Sequence, residues 1–336
     1  MTPPVITFFN NKGGVGKTSL VYHVAWMLAE LGHRVVAADL DPQANLTAAF
    51  LDEQEVEQLW NSEEPRTIWS AIRPFVDEAE GIRLVAPTPT DDERLALLPG
   101  DLALSRFEDD LSSQWLECVD GKRPRPFLVM SAFWTVLRSV AGLHRADVVL
   151  VDVGPSLGAI NRAALVASDH VVVPVAPDLF SLQGLRNLGP TLREWRDEWQ
   201  QRLERLKDRS RPLPAGTMAP LGYVVLGHGV RLNRPVQAYQ RWIERIPLDF
   251  HDAVLGEPGP PPQPDPYCLA QLKHYHSLMP LAHEARKPMF ALKPADGAFG
   301  GHAQAAQRVY DDFHDLAIRI LDASVASTAA RRHRGD

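Results

Sequence analysis

The chain has 336 residues, of which 45% are hydrophobic and 23% are charged, and its formal net charge is −7. This composition is typical of a globular protein and excludes wholesale disorder, while the acidic balance excludes a polycation that coats nucleic acid. Apolar stretches such as residues 148–151 and 171–175 are too short to span a membrane, and the N-terminal residues lack the pattern of a secretion signal. With only Cys118 and Cys268, the chain suits a reducing compartment, so we expect a cytoplasmic protein.

The first forty residues alternate between apolar runs and one helical pattern. Residues 5–9 form a short β-rich run, and from Lys17 the apolar residues follow helical spacing until Gly32 ends the pattern. Residues 34–39 form a second buried-type run. Because two parallel strands need a crossover, usually a helix, this order predicts a β–α–β unit with parallel strands.

Further apolar runs predict strands, with helical patterns between most of them. The alternation predicts an α/β fold with a doubly wound, mostly parallel sheet and helices on both faces. Sheets of this kind bind ligands outside the carboxyl ends of their strands. The predicted strands cover residues 82–86, 95–98, 148–152, 171–175 and 223–226.

Between the first strand and the first helix lies a glycine-rich segment typical of a phosphate-binding loop. Glycines let backbone N–H groups approach phosphates, and the following helix adds the positive end of its dipole. In such a loop Lys17 reaches the β- and γ-phosphates, the Thr18 hydroxyl ligates Mg²⁺ and Ser19 touches the α-phosphate. The general pattern has glycine where Asn11 stands, so this loop is a variant. It consists of Lys12, Gly13, Gly14, Val15, Gly16, Lys17, Thr18 and Ser19.

Carboxylates follow two of the predicted strands. Alternation along a strand places Asp39 and Asp41 on the same side, next to the predicted phosphate loop. Asp152 ends the apolar run 148–152, which has the form of a Walker B element. Unpaired charges near a sheet interior are unfavourable, and Mg²⁺ with an attacking water would compensate for them.

These motifs carry a resemblance to a known family. Residues 12–19 resemble the deviant Walker A motif of the ParA/MinD group of P-loop ATPases, and the chain is most similar to ParA/Soj-type partition ATPases. Residues 39–45 resemble the D-x-D-P-Q-x-N motif of that family. Residues 154–158 resemble its P-P-S-L-G switch segment, with Gly154 in place of the first proline.

The resemblance implies a role for each site residue. In that family two subunits enclose two ATP molecules, and the signature lysine, here Lys12, crosses to the nucleotide of the partner. Asp41 would orient the hydrolytic water. Asp39 would support the Mg²⁺ shell, and Asp152 would hold the ion directly or through water. The segment 173–178 also resembles the family and would place Pro177 at the nucleotide, although residues 227–231 show no adenine-reading pattern.

The resemblance also implies domain organisation and function. We expect one P-loop domain over residues 1–336, with a nucleotide-binding core at about 1–190, a diverged portion at about 191–325 and a polar tail at 326–336. ATP would drive homodimerisation and nonspecific DNA binding, and slow, Mg²⁺-dependent hydrolysis, stimulated by a ParB-like or other partner, would reset the switch. Such a cycle partitions or positions a plasmid, chromosome or protein cargo, so the chain would associate with the nucleoid.

The C-terminal portion leaves alternatives open. Residues 191–246 contain eleven Lys/Arg against six Asp/Glu, which is a local charge of +5 that fits DNA phosphates but also fits a solvated face with internal ion pairs. The tryptophan-bearing charged helix at 194–209 and the proline-rich segment 257–266 favour a different function, an ATP-gated protein that recruits an effector in regulation or defence. The last helical pattern, 303–321, carries acidic residues that favour packing on the sheet over membrane attachment. The DNA contacts we expect are Arg231, Arg234, Lys287 and Lys293.

Overall fold

The computed structural model describes residues 2–77, 81–227, 236–273, 275 and 278–334. Over these residues the chain forms a sheet of eight strands in the order β3-β4-β2-β5-β1-β6-β7-β8. Every pairing is parallel except that between β3 and β4, so the α/β fold with a mostly parallel sheet is confirmed. The strands are β1 Val5–Phe8, β2 Val35–Asp39, β3 Thr88–Pro89, β4 Leu95–Leu98, β5 Val148–Asp152, β6 His170–Val175, β7 Ala219–Leu226 and β8 Cys268–Leu272.

Helices cover both faces of this sheet. They are α1 Lys17–Glu30, α2 Asn45–Phe50, α3 Glu53–Trp60, α4 Ile68–Val76, α5 Phe107–Glu117, α6 Arg125–Met130, α7 Ala132–His144, α8 Ala159–Val166, α9 Leu179–Arg205, α10 Val236–Asp249, α11 Leu278–Ala285 and α12 Gly301–Arg334. A π-helical turn, Phe250–Leu255, continues α10, and short 3-10 turns include Leu102–Arg106 and Met289–Ala291. Among the described residues, no helix is both long and apolar enough to cross a lipid bilayer.

The two faces of the sheet bury separate hydrophobic cores. Alternate residues of one strand point to opposite faces, so Val5 packs into one core and Ile6 into the other. The core on the Val5 side is closed mainly by α4 to α9 and contains Trp199, which is fully buried. The core on the Ile6 side is closed by α1 and α12, where Phe313 is 2% exposed. This two-layer burial explains why the central strands are apolar throughout.

The order of the central strands brings the chemical motifs together. Strand β5 lies between β2 and β1, and the register pairs Asp39 with Asp152 and Phe8 with Asp152. Because parallel strands end at one edge of the sheet, the phosphate loop after β1 and the carboxylates that end β2 and β5 become neighbours.

Three predicted elements differ in the structure. Residues 82–86 form no strand, because the adjacent prolines at 87 and 89 limit pairing at the sheet edge to the two residues of β3. Residues 194–209 are not a separate helix: most of them form the C-terminal half of α9, and Trp195 and Trp199 are buried there. The last helical pattern is predicted to end near residue 321, but α12 continues to Arg334 and includes most of the polar tail.

Candidate functional site

The phosphate loop joins β1 to α1 in a conformation that depends on glycine. Gly14 has φ +71° and Gly16 has φ +82°, in the left-handed region that other residues rarely adopt. Gly16 caps α1, so the helix begins at Lys17 and its first backbone N–H groups remain without a helical partner. The loop therefore presents backbone donors and the positive end of a helix dipole at the same place.

Lys17 is folded back over the loop. Its Nζ donates to the carbonyl oxygens of Asn10 at 3.1 Å and Lys12 at 3.3 Å. Burial lowers the pKa of Lys17, against the opposing influence of the charges of Asp152 and Asp41. An ammonium group that is 7% exposed and close to two carboxylates can bind phosphate as soon as the ligand replaces the two carbonyl acceptors.

Asp39 is fully buried and well supplied with hydrogen bonds. Its Oδ2 accepts from the backbone N–H and the hydroxyl of Thr47, both at 2.7 Å, and its Oδ1 accepts from the backbone N–H of Asp41 at 3.2 Å. Burial is the largest influence and raises the pKa of Asp39 to about 7 in spite of these donors. The side chain is therefore held in a fixed position, as a residue that supports a metal shell must be.

Asp152 is also fully buried, but neither of its oxygens has a hydrogen-bond partner among the described residues. Burial, followed by the charge of Asp39, raises its pKa to about 8. The Thr18 hydroxyl, which is near Asp152 but outside hydrogen-bonding geometry, and the charge of Lys17 lower the pKa, but not enough to offset burial. An unpaired buried carboxylate is costly for an isolated protein, so this group fits a cation that binds between the strand ends and the phosphate loop.

Asp41 lies beside the switch segment that follows β5. Its Oδ1 accepts from the backbone N–H of Gln43 at 2.9 Å. A Cβ atom on Gly154 would lie 3.2 Å from the same oxygen, closer than ordinary van der Waals contact. The residue that departs from the family pattern thus gives the Asp41 carboxylate room to move.

The signature lysine is paired within its own chain. Lys12 Nζ lies 2.5 Å from Asp178 Oδ2 and donates to the Ser181 hydroxyl at 3.3 Å. Asp178 also caps α9 by accepting from the Ser181 N–H at 2.9 Å. Burial raises the pKa of Asp178, but the hydrogen bonds from Lys12 and Ser181 outweigh it, and the net shift is downward.

A small apolar cavity of about 120 Å³ opens next to the start of α1. Its walls come from the phosphate loop, the ends of β7 and β8, and α11 and α12. Sequence reasoning missed this cavity, since its apolar residues are spaced like any core residues and are far apart in the chain. Pro177, the predicted nucleotide contact, is buried between β6 and α9 and is not among the lining residues. The lining includes Val15, Gly16, Ser19, Leu226, Leu272, Tyr275, Met279 and Phe313.

The residues predicted to contact DNA are only partly described. Arg231 and Arg234 lie outside the described residues. Lys287 forms an ion pair with Asp296 at 2.7 Å, and Lys293 precedes the short turn Pro294–Asp296. The structure therefore describes no continuous basic patch made of these four residues.

Comparison with known proteins identifies relatives of the chain. The profile of the AAA domain family matches residues 4–205. A putative replication protein A of Rhizobium rhizogenes is 36% identical over 182 residues, which is 54% of this chain and 42% of that protein. The sporulation initiation inhibitor protein Soj of Bacillus subtilis is 32% identical over 190 residues, which is 56% of this chain and 64% of that protein. The chain thus matches about half the length of these relatives.

Solved structures share the fold over nearly the whole chain. A crystal structure of a protein from Corynebacterium diphtheriae has a TM-score of 0.71 at 24% identity and covers 95% of this chain and 98% of its own. A putative plasmid partition protein of Borrelia burgdorferi, bound to AMPPNP, has a TM-score of 0.59 at 17% identity and covers 94% and 99%. The matched profile spans more than half of the chain and contains the phosphate loop and all three carboxylates. The chain therefore belongs to the AAA domain family of P-loop ATPases, among homologues of the ParA and Soj partition ATPases.

Proposed function

We propose that this protein is a ParA-like ATPase whose Mg²⁺-dependent ATP cycle switches a homodimer on and off nonspecific DNA. The observation that carries the proposal is the pair of unpartnered oxygens on buried Asp152, next to Asp39 and Lys17. A carboxylate of this kind fits Mg²⁺, and a buried lysine beside it fits the phosphates that the ion accompanies.

Different residues of the site would bind the phosphates and the Mg²⁺ ion. Lys17 and the backbone N–H groups at the start of α1 would bind the β- and γ-phosphates, and the Thr18 hydroxyl and Asp152 would hold Mg²⁺. Asp39, fixed by Thr47, would orient the water ligands of the ion. Mg²⁺ supplies charge stabilisation for the phosphates when it is bound.

Asp41 is the residue we assign to the attacking water. Among the described residues its Oδ1 accepts one hydrogen bond, and the absence of a side chain at Gly154 leaves space beside it. A carboxylate in this position can accept a proton from water and orient its lone pair towards the γ-phosphate.

The cavity next to α1 is a suitable place for the nucleotide base. It touches Ser19, the residue assigned to the α-phosphate, and apart from Lys273 its other walls are mainly apolar or aromatic. A flat base gains from burial against such walls, which contribute affinity without base-specific hydrogen bonds.

The face around the nucleotide site is suited to a second copy of the chain. Lys12 is 27% exposed, and Leu179 and Phe180, next to its partner Asp178, are 54% and 74% exposed. Large apolar side chains of this kind favour an interface. In a dimer Lys12 would leave its ion pair with Asp178 and bind the phosphates of the partner's nucleotide.

DNA binding and a ParB-like activator complete the proposed cycle. Their support is the net charge of +5 over residues 191–246 and the relationship to the Soj protein of Bacillus subtilis. The alternative, an ATP-gated protein that recruits an effector, is favoured by the exposed proline-rich segment at 257–266. Titration of random-sequence duplex DNA with ATP or ADP over a salt series separates them, because only phosphate binding gives a steep salt dependence.

The central test is ATP binding and turnover by Asp41→Ala. We expect the variant to bind Mg²⁺-ATP with wild-type affinity and to lose turnover by about 100-fold or more, because only water orientation is removed. Asp252→Ala, on an exposed turn, serves as the matched control and should turn over ATP at the wild-type rate. Unchanged turnover in Asp41→Ala would remove this residue from the mechanism, and failure of the wild type to bind ATP would refute the proposed function.

A further inference from the structure

A second, larger cleft lies outside the nucleotide site. It has a volume of about 610 Å³ and is formed by the end of α3, by α4 and by the turn Leu102–Arg106 that follows β4. None of the residues assigned to phosphate, Mg²⁺ or water lines it. Its size is within the range of small-molecule binding sites.

Two indole rings, those of Trp60 and Trp69, form walls of this cleft. Both residues are half-buried, so each presents part of its ring to the cleft. The indole N–H of Trp60 donates to the carbonyl oxygen of Gly100 at 3.3 Å, which fixes the orientation of that ring. Flat, oriented aromatic surfaces of this kind stack on planar ligands.

Three arginines, Arg73, Arg83 and Arg106, line the same cleft. Within the described residues Arg73 pairs with exposed Asp77 at 3.2 Å, and Arg83 lies 3.6 Å from a glutamate that is 85% exposed. Exposed pairs of this kind contribute little stability, so an incoming anion can replace them at little cost. Arg106 forms no hydrogen bond or ion pair through its guanidinium within the described part of the chain.

Two acidic residues line the cleft: Glu63 is exposed at its edge, and Asp101 is held by hydrogen bonds. Asp101 Oδ2 accepts from the Thr67 hydroxyl at 2.8 Å, and Oδ1 accepts from the backbone N–H of Ala103 at 2.9 Å. These bonds hold the carboxylate at the start of the Leu102–Arg106 turn, so it does not neutralise the guanidinium groups. The cleft thus combines aromatic walls with available cationic donors.

We propose that this cleft is a ligand site for a small anionic molecule with a planar ring, of the nucleotide class. Guanidinium groups bind phosphate oxygens in bidentate geometry, and indoles stack on bases. A cationic ligand would be repelled by the three arginines, and a purely apolar ligand would leave them desolvated without partners. In a nucleotide, the phosphate can bind the arginines and the base can stack on the indole rings.

The cleft is connected to the metal-supporting carboxylate by a chain of hydrogen bonds. Trp60 donates to the Gly100 carbonyl, and the Gly100 N–H donates to Thr47 Oγ1 at 2.7 Å. The Thr47 hydroxyl in turn donates to Asp39 Oδ2. Gly100 also packs closely on Asp39, since a Cβ atom there would lie 2.9 Å from the carboxylate. A ligand that shifts Trp60 would therefore also shift Asp39, a coupling that rests on the proposed ATPase function.

Isothermal titration calorimetry of the full chain tests the site, with AMP, GMP, cyclic di-AMP and cyclic di-GMP as probes. We expect at least one probe to bind with a Kd below about 1 mM, and Arg106→Gln and Trp69→Ala to weaken it about tenfold or more each. Lys17→Ala, which impairs the phosphate loop, should leave this affinity unchanged. Thermal unfolding confirms that each variant is folded.

Several results would overturn the assignment. Binding that is lost in Lys17→Ala and kept in Arg106→Gln would place the probe in the phosphate loop. Binding by none of the four probes would exclude a nucleotide site. Binding of an acidic, phenylalanine-containing peptide instead of every nucleotide would assign the cleft to a protein partner.

Coupling is tested with Trp60→Phe, which removes the indole N–H and keeps an aromatic ring. In the wild type we expect a bound probe to change the affinity for Mg²⁺-ATP by about fivefold or more, and in Trp60→Phe by much less. Trp134→Phe, half-buried on α7, is the matched control and should behave as the wild type. An equal change in Trp60→Phe would refute the coupling. Loss of ATP binding altogether would refute the proposed function but leave the cleft measurement intact.

Discussion

Replacing Asp152 with asparagine should stabilise the protein that has no bound nucleotide or Mg²⁺. The wild-type carboxylate is fully buried, lacks a hydrogen-bond partner within the described chain and lies next to Asp39 on the paired strand. Its ionised form is therefore the least favourable charge in the site. Asparagine has nearly the same shape and carries no charge, so the substitution removes this penalty without opening a cavity.

The size of the effect follows from the pKa of Asp152, which burial and Asp39 raise from 3.8 to about 8. Because the folded pKa lies above the unfolded one, the protonated carboxyl group favours folding below about pH 4, and this contribution is lost as the pH rises towards 8. A full shift of this size corresponds to about 6 kcal/mol, and Asp39 shares part of the penalty, so we expect Asp152→Asn to gain about 3 to 5 kcal/mol at pH 8.

The assay is urea unfolding of wild type and variant at several pH values between 4 and 8, without nucleotide and with EDTA. The stability difference should be near zero at pH 4 and largest at pH 8. Other buried titrating groups, such as His23, are present in both proteins, so their contributions cancel in the difference. Asp252→Asn, on an exposed turn, should stay within about 0.5 kcal/mol of the wild type at every pH.

Adding Mg²⁺-ATP should reverse the order. The wild type should gain stability from the ligand by mass action, and Asp152→Asn should gain much less, because the carboxylate that holds the ion is missing. If the variant is less stable than the wild type at both ends of the pH range, Asp152 is not an unpaired carboxylate whose burial destabilises the protein until a cation binds. A stability difference that does not change with pH would lead to the same conclusion.

Three further substitutions test separate contacts of the site. Asp178→Asn weakens the ion pair that holds Lys12, so ATP-induced dimerisation should occur at a lower protein concentration in light scattering, and an unchanged concentration dependence would contradict the pairing. Gly154→Ala crowds Asp41, so turnover should fall severalfold while ATP affinity in a filter-binding assay stays constant. Burial lowers the pKa of His23 to about 4, so between pH 6.5 and 4 the wild type should lose up to about 3 kcal/mol of stability relative to His23→Gln in urea unfolding, and a difference that does not change with pH would contradict this.

The chemical motifs of the nucleotide site could be predicted because each occupies a short, continuous stretch. Residues 12–19 need only a strand before them and a helix after them, and the run of apolar residues that ends at Asp152 is typical of a buried parallel strand. The order β2-β5-β1 then brings these stretches together, and it is an ordinary consequence of parallel strands with crossover helices. A local sequence pattern is enough to predict a site when each of its motifs is continuous in the chain and adjacent strands bring the motifs together.

The elements that were missed depend on contacts between distant parts of the chain. Strand β8 follows the proline-rich segment and gains its stability from pairing with β7, whose Tyr223 N–H donates to the carbonyl of Tyr267. Its five residues have no regular alternation of buried and exposed positions, so periodicity alone could not reveal it. The cleft beside Trp60 and Trp69 is similarly invisible in the sequence, because α3, α4 and the turn after β4 form it only together.

The contacts of Lys17 show how the site tolerates three ionisable groups at the sheet edge before any ligand binds. Its ammonium group donates to two loop carbonyls, which partly replaces water. The charges of Asp152 and Asp41 stabilise the ammonium, while the same lysine lowers the pKa of Asp152. The charges of Lys17 and the carboxylates do not fully offset the cost of burial, because Asp152 still lacks a hydrogen bond among the described residues. The site therefore keeps one unsatisfied carboxylate and one displaceable lysine, and Mg²⁺ and a phosphate chain satisfy both at once, so either ligand should bind more tightly when the other is present.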